Sequence, residues 1–142
     1  MKVRGITPAE SAWIEGAGPD SSWERESLPE GRCLRYRTIG PVEGEGVARF
    51  EFDLSLAARE KGSLILDVSG IDYLDDAATE VLVRLDDRLR RRKDVLVICG
   101  VHPLCLEIFQ LSGIDCSLTL AHDLMHARVL LAKQAQGRER WH

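Results

Sequence analysis

No stretch of this 142-residue chain offers the apolar run of roughly 18 residues that a bilayer-spanning helix needs, so direct membrane insertion is not expected. The amino end, Met1 to Glu10, lacks the charged-then-apolar order of a secretory signal. The expectation is a cytoplasmic protein. Positive charge is also short: 19 Lys and Arg against 23 Asp and Glu leave a net charge of −4. That sign argues against a nucleic-acid partner. No Cys-x-x-Cys pair occurs among Cys33, Cys99, Cys105 and Cys116. They read as small buried hydrophobes in a reducing compartment. His102, His122, His126 and His142 are scattered, and only His122 and His126 have i, i+4 spacing. With no Glu between them and no third ligand nearby, a metal site is not expected. A phosphate-cradling Gly-x-x-x-x-Gly-Lys loop and a nucleophile beside a base are both missing. No cofactor is implied, and the chain reads as a non-enzyme.

What is present suits one globular domain. The chain is 44% hydrophobic and 30% charged, enough to bury one core. Residues 1–31 are punctuated by Gly16, Gly18, Pro19, Ser21, Ser22, Pro29 and Gly31 and hold no periodicity. They read as a partly ordered extension, with Trp13, Ile14 and Trp23 available to anchor it. This extension either packs on the core or pairs between protomers of a homodimer. Residues 32–136 form the domain, and 137–142 a tail.

Within the domain, Leu34 and Tyr36 alternate with Arg35 and Arg37, as in a half-exposed strand. The segment from Val47 to Ala57 fits a strand period and a helix period, and the Gly62 stop favours a crossover helix. Leu64 to Val68 and Val95 to Cys99 are aliphatic runs suited to strands covered on both faces. Between them, Ala78, Val81, Leu82, Leu85 and Leu89 make the apolar stripe of a helix spanning Ala77 to Lys93. Arg84, Arg88, Arg91 and Arg92 oppose that stripe. Pro103 opens a short helix carrying Leu104, Ile108 and Leu111, and Gly113 stops it. Leu118 to Leu120 is a brief strand, and Asp123 caps a last helix with Leu124, Ala127 and Leu131 inward. Strands alternating with helices predict an α/β fold: a mixed central sheet with crossover helices packed mainly on one side.

The order and spacing of three motifs resemble a known family. They are Leu64-Ile-Leu-Asp-Val-Ser-Gly-Ile-Asp-Tyr-Leu-Asp75, then Val95-Leu-Val-Ile-Cys-Gly100, then Leu111-Ser-Gly-Ile-Asp115. Together they resemble the STAS domain, the fold of anti-sigma factor antagonists and of the cytoplasmic tails of sulfate-type anion transporters. The likeness runs from about Leu34 to Ala135. It implies a binding module. In phospho-switched members a kinase-type anti-sigma factor phosphorylates the first serine of an Asp-Ser-Ser-Gly motif, and the unphosphorylated form captures the kinase. By position, Asp75 matches the family aspartate and Asp76 the phosphoacceptor serine. Ala77 and Ala78 match the second serine and the glycine. Asp75, Asp76, Ala77, Ala78 and Thr79 are therefore the candidate partner-binding residues. Asp76 has no hydroxyl, so the serine switch is not expected to operate.

Read without the family, Asp76 lies at a helix start, where free N–H groups and the positive end of the dipole favour an anion. Two roles stay open: a fixed mimic of phosphoserine, or a helix cap alone. Asp72, Asp75, Asp76 and Glu80 gather at that end, and Arg88, Arg90, Arg91, Arg92 and Lys93 at the other. Two partner classes follow: a kinase-type anti-sigma factor or signalling complex, or a membrane transport system served as an accessory subunit. A third reading has Asp67, Asp72, Asp75 and Asp76 gathering around Mg²⁺ for phosphotransfer.

Overall fold

Side chains along two short strands point alternately to two separate cores, and this decides the layering. The structure is a computed structural model describing residues 23–37 and 39–140, with side chains described to residue 134. In chain order the elements are β1 (Trp23–Leu28), β2 (Gly31–Tyr36), β3 (Gly40–Val42), α1 (Gly46–Ala58), β4 (Leu64–Asp67) and β5 (Ile71–Leu74). Then come α2 (Asp76–Arg91), β6 (Leu96–Cys99), α3 (Pro103–Ser112), a 3₁₀ turn at Ile114–Cys116, β7 (Thr119–Ala121) and α4 (Leu124–Arg140).

Five strands form the main sheet in the order β1-β2-β4-β6-β7, and β3 pairs with β5 in a separate two-stranded ladder. The β1–β2 pair is antiparallel and the other pairs are parallel, so the sheet is mixed. On one face Leu34, Leu64, Leu66, Leu96 and Ile98 meet α1, α2 and α3 in the larger core. On the other, Cys33, Ile65, Val97 and Cys99 meet Ala127 and Leu131 of α4. Both central strands are thus covered twice, which is why they read as unbroken aliphatic runs. Burial pushes the Cys33 thiol up to about 11 and the Cys99 thiol up to about 12, as befits packing residues. Cys105 is buried as well, whereas Cys116 is exposed.

The ambiguous segment is a helix, α1, burying Val47, Phe50, Leu54 and Ala57. The sheet begins at Trp23, inside the segment read from sequence as an extension. Trp23 is 2% exposed and packs its ring on Tyr36 and Phe50, with centroids 5.0 Å and 5.9 Å away. Trp13 and Ile14 lie outside the described residues. At the other end, α4 runs on to Arg140, through residues read as a tail.

The carboxyl end of α1 is closed by two guanidinium groups. Buried Arg32 donates to the carbonyls of Ala57 at 2.7 Å and Glu60 at 2.8 Å. Arg92 donates to those of Ala58, Glu60 and Gly62 and is held by Asp94 at 2.7 Å. The apolar stripe alone sets Arg92 on the outward face of α2, but the helix ends at Arg91 and this side chain turns inward to orphan carbonyls. Arg90 and Arg91 pair with Asp86 and Asp87 one turn back. The cationic run is largely neutralised within the chain.

Candidate functional site

The strand β5 ends at Leu74 and hands the chain to α2 through Asp75, whose backbone is extended (φ −76°, ψ 177°). This is the geometry of an N-cap, with Asp76 the first helical residue. Both carboxylate oxygens of Asp75 are used: Oδ1 accepts the Ala78 amide and Oδ2 the Gly44 amide, each at 2.9 Å. One side chain therefore closes α2 and pins the β3–α1 turn to it. The Asp75 amide in turn donates to the Val42 carbonyl at 3.2 Å.

The Ala78 and Gly44 amides hold the Asp75 carboxyl below the usual carboxylate range. Because the folded state favours the ionised form, this stabilisation is complete above the unfolded value of about 3.9. It disappears as pH falls through the lower folded value. Thermal melts in steps of acid test this: Asp75→Asn should lower the neutral-pH melting temperature and flatten the acid limb. An acid limb as steep as that of the native chain would remove Asp75 from this role.

Of the five residues singled out from sequence, Asp75 is the half-buried cap and the other four divide into two sets. Asp76 and Ala77 are exposed. Ala78 is 0% and Thr79 6% exposed, so these two form the floor rather than the contact surface. The Thr79 hydroxyl donates to the Asp75 carbonyl at 3.0 Å. It is the only hydroxyl in this stretch, and it is buried. Of the two roles open to Asp76, side-chain capping belongs to Asp75 instead, because the helix starts one residue earlier than its apolar pattern suggests. Asp76 keeps the favourable but modest position of an anion in the first turn, worth about 0.3–1 kcal/mol. Gly44 was not anticipated as part of the site; the Gly44-Glu45-Gly46 run ahead of α1 was its only trace.

The acids considered for Mg²⁺ do not converge. Asp67 pairs with Arg35 at 3.2 Å and accepts the Ser69 amide at 3.1 Å, while Asp75 is engaged as a cap. Gly100 (φ 74°) sits against this corner, where a Cβ would fall 2.9 Å from that of Ser69. Among the described residues no group of His, Cys, Asp and Glu could hold a metal. The His122 and His126 rings stack, and His126 Nδ1 accepts the His122 amide at 3.1 Å, a helix-start contact.

The fold is a mixed sheet with this helix order, and it presents an exposed carboxylate just past the cap of α2. The family profile described as the STAS domain matches residues 28–127, and the chain belongs to that family. It is similar to a putative anti-sigma factor antagonist, BtrV, of Bordetella bronchiseptica: 30% identical over 83 residues, covering 57% of this chain and 67% of the relative. An anti-sigma factor antagonist STAS protein from Planctomyces limnophilus shares the fold, with a TM-score of 0.66 at 18% identity, over 78% of this chain and 97% of that one. A murine solute carrier 26 anion transporter shares it too, with a TM-score of 0.61 at 14% identity, over 72% of this chain and 18% of that one. Among the described residues no helix is long and apolar enough to cross a membrane.

Proposed function

We propose that this chain is a non-enzymatic regulatory module, working in the cytoplasm, that binds a kinase-type anti-sigma factor through the surface around Asp76 and Ala77. It does so without the serine switch. The observation that carries this reading is the division of labour at the start of α2. Asp75 performs the capping and bridges Gly44, leaving the Asp76 carboxylate exposed, with no side-chain hydrogen bond or ion pair among the described residues. The likeness to an antagonist across two thirds of that protein supports the partner class. A fixed carboxylate carries −1, against roughly −1.5 to −2 for phosphoserine, so partner affinity is set by the chain itself rather than by a removable group.

Calorimetry with a purified kinase-type anti-sigma factor from the same genome tests this. Asp76→Ala should shift the dissociation constant at least about tenfold, or roughly 1.4 kcal/mol. Its thermal stability should stay within about 1 kcal/mol of native. Equal affinities for the native chain and the variant would leave Asp76 without a binding role. The transporter-subunit reading draws on a likeness of fold alone, and co-purification with a permease component would be its mark.

A further inference from the structure

Helix α3 buries only Cys105 and Phe109. The apolar residues that announced it from sequence point outward: Leu104 is 51%, Ile108 38% and Leu111 82% exposed. Offsets of four and three residues place them on one stripe of the helix. An aligned apolar stripe left in water is a recurring mark of an interaction surface. Its position matters. The Cys105 thiol donates to the Asp72 carbonyl at 3.9 Å, so α3 lies against β5, the strand that leads into Asp75 and Asp76. Tyr73 on that strand is a further 37% exposed.

Charge identifies what fits there. Asp72 on β5, Glu107 on α3 and Asp76 two residues past the end of β5 are exposed and form no ion pair among the described residues. Glu30 pairs with Arg128, Glu51 with Arg84, Glu60 with Arg25 and Asp87 with Arg91, whereas Glu26, Glu43, Glu45, Asp115 and Asp123 also lack an ion pair among the described residues. Neither β5 nor α3 carries a Lys or Arg, so the charge on the two elements that frame the stripe is wholly negative. A second copy seated symmetrically would set these carboxylates against themselves. Residues 1–22 carry two cations against three carboxylates and bring no compensating charge.

We propose that the outer stripe of α3 and the exposed side of β5 form the apolar half of the partner surface, and that its occupant is a basic amphipathic segment of the protein partner. This rests on the reading that the Asp76 end of α2 is a protein-binding face. It adds that the contact continues across β5 onto α3, apolar side chains filling the stripe and Lys or Arg meeting its acidic rim.

The test uses the full chain, its Leu104→Ser/Leu111→Ser variant and the purified kinase-type anti-sigma factor. Both leucines are exposed, so the variant should keep the native circular dichroism spectrum. Calorimetry should show binding weakened at least tenfold, and native binding should weaken further as salt is raised. Native affinity in the double variant, with Asp76→Ala still impaired, would overturn this proposal while leaving the binding face in place. A native chain that does not bind at all would remove both. Light scattering that finds a native dimer split by the same substitutions would assign the stripe to a second copy and overturn the proposal. So would hydrogen exchange in the free variant that changes within residues 1–22.

Discussion

Asp76→Ser combined with Ala77→Ser and Ala78→Gly should turn the chain into a substrate, taking up one phosphate from a kinase-type anti-sigma factor and ATP. The native chain should take up none. The geometry for the reaction stays in place because Asp75, which the substitutions do not touch, still caps α2 and holds Gly44. A serine at position 76 would stand where the exposed Asp76 now stands, one residue past the cap. Thr79 cannot substitute for it, since its hydroxyl is buried and donates to the Asp75 carbonyl. The glycine at 78 weakens the first turn of α2 by about 1 kcal/mol, so folding must be checked by circular dichroism. Intact-mass spectrometry reads the outcome. A folded triple variant that remains unmodified would mean that more than a hydroxyl separates this surface from a phosphorylatable one.

Truncating Arg92 should be the most damaging single change to the fold outside the apolar core. Arg92→Ala is expected to cost about 2–3 kcal/mol, measured by urea unfolding. Its guanidinium serves three carbonyls at the end of α1 and the connection to β4 while pairing with Asp94. Removal takes away the guanidinium donor to the Ala58 and Gly62 oxygens and breaks the Asp94 pair. Arg32 reaches only Ala57 and Glu60, so it cannot cover the Ala58 and Gly62 oxygens. Lysine should not rescue, because one ammonium cannot reproduce a planar fork that reaches several acceptors at once. A loss below about 0.5 kcal/mol would place Arg92 with ordinary surface cations.

These effects also mark where local pattern stops informing. The strands Leu64–Asp67 and Leu96–Cys99 were legible because burial on both faces demands aliphatic residues throughout. Helix α2 was legible because Ala78, Val81, Leu82, Leu85 and Leu89 all face the core. Helix α3 announced itself through chemistry at its ends: Pro103 at its first position and Gly113 in the left-handed conformation (φ 80°). Strand β1 was hidden. It lies at the sheet edge, where Glu24 and Glu26 stay exposed and Arg25 is half-buried in its pair with Glu60, so no apolar alternation marks it.

Sequence by itself determined the α/β class, the order of the central strands and helices, and the absence of a hydroxyl at position 76. All three follow from near-neighbour periodicity or from residue identity. Tertiary structure alone decided that the capping residue Asp75 also bridges to the β3–α1 turn, because that depends on a Gly44 amide 31 residues away in the chain. It alone sent Arg92 inward to the end of α1, and it left Leu104, Ile108 and Leu111 in solvent. The physical reason is common to these cases: a side chain's role is fixed by which distant backbone groups and surfaces arrive beside it, and neither period nor composition carries that distance.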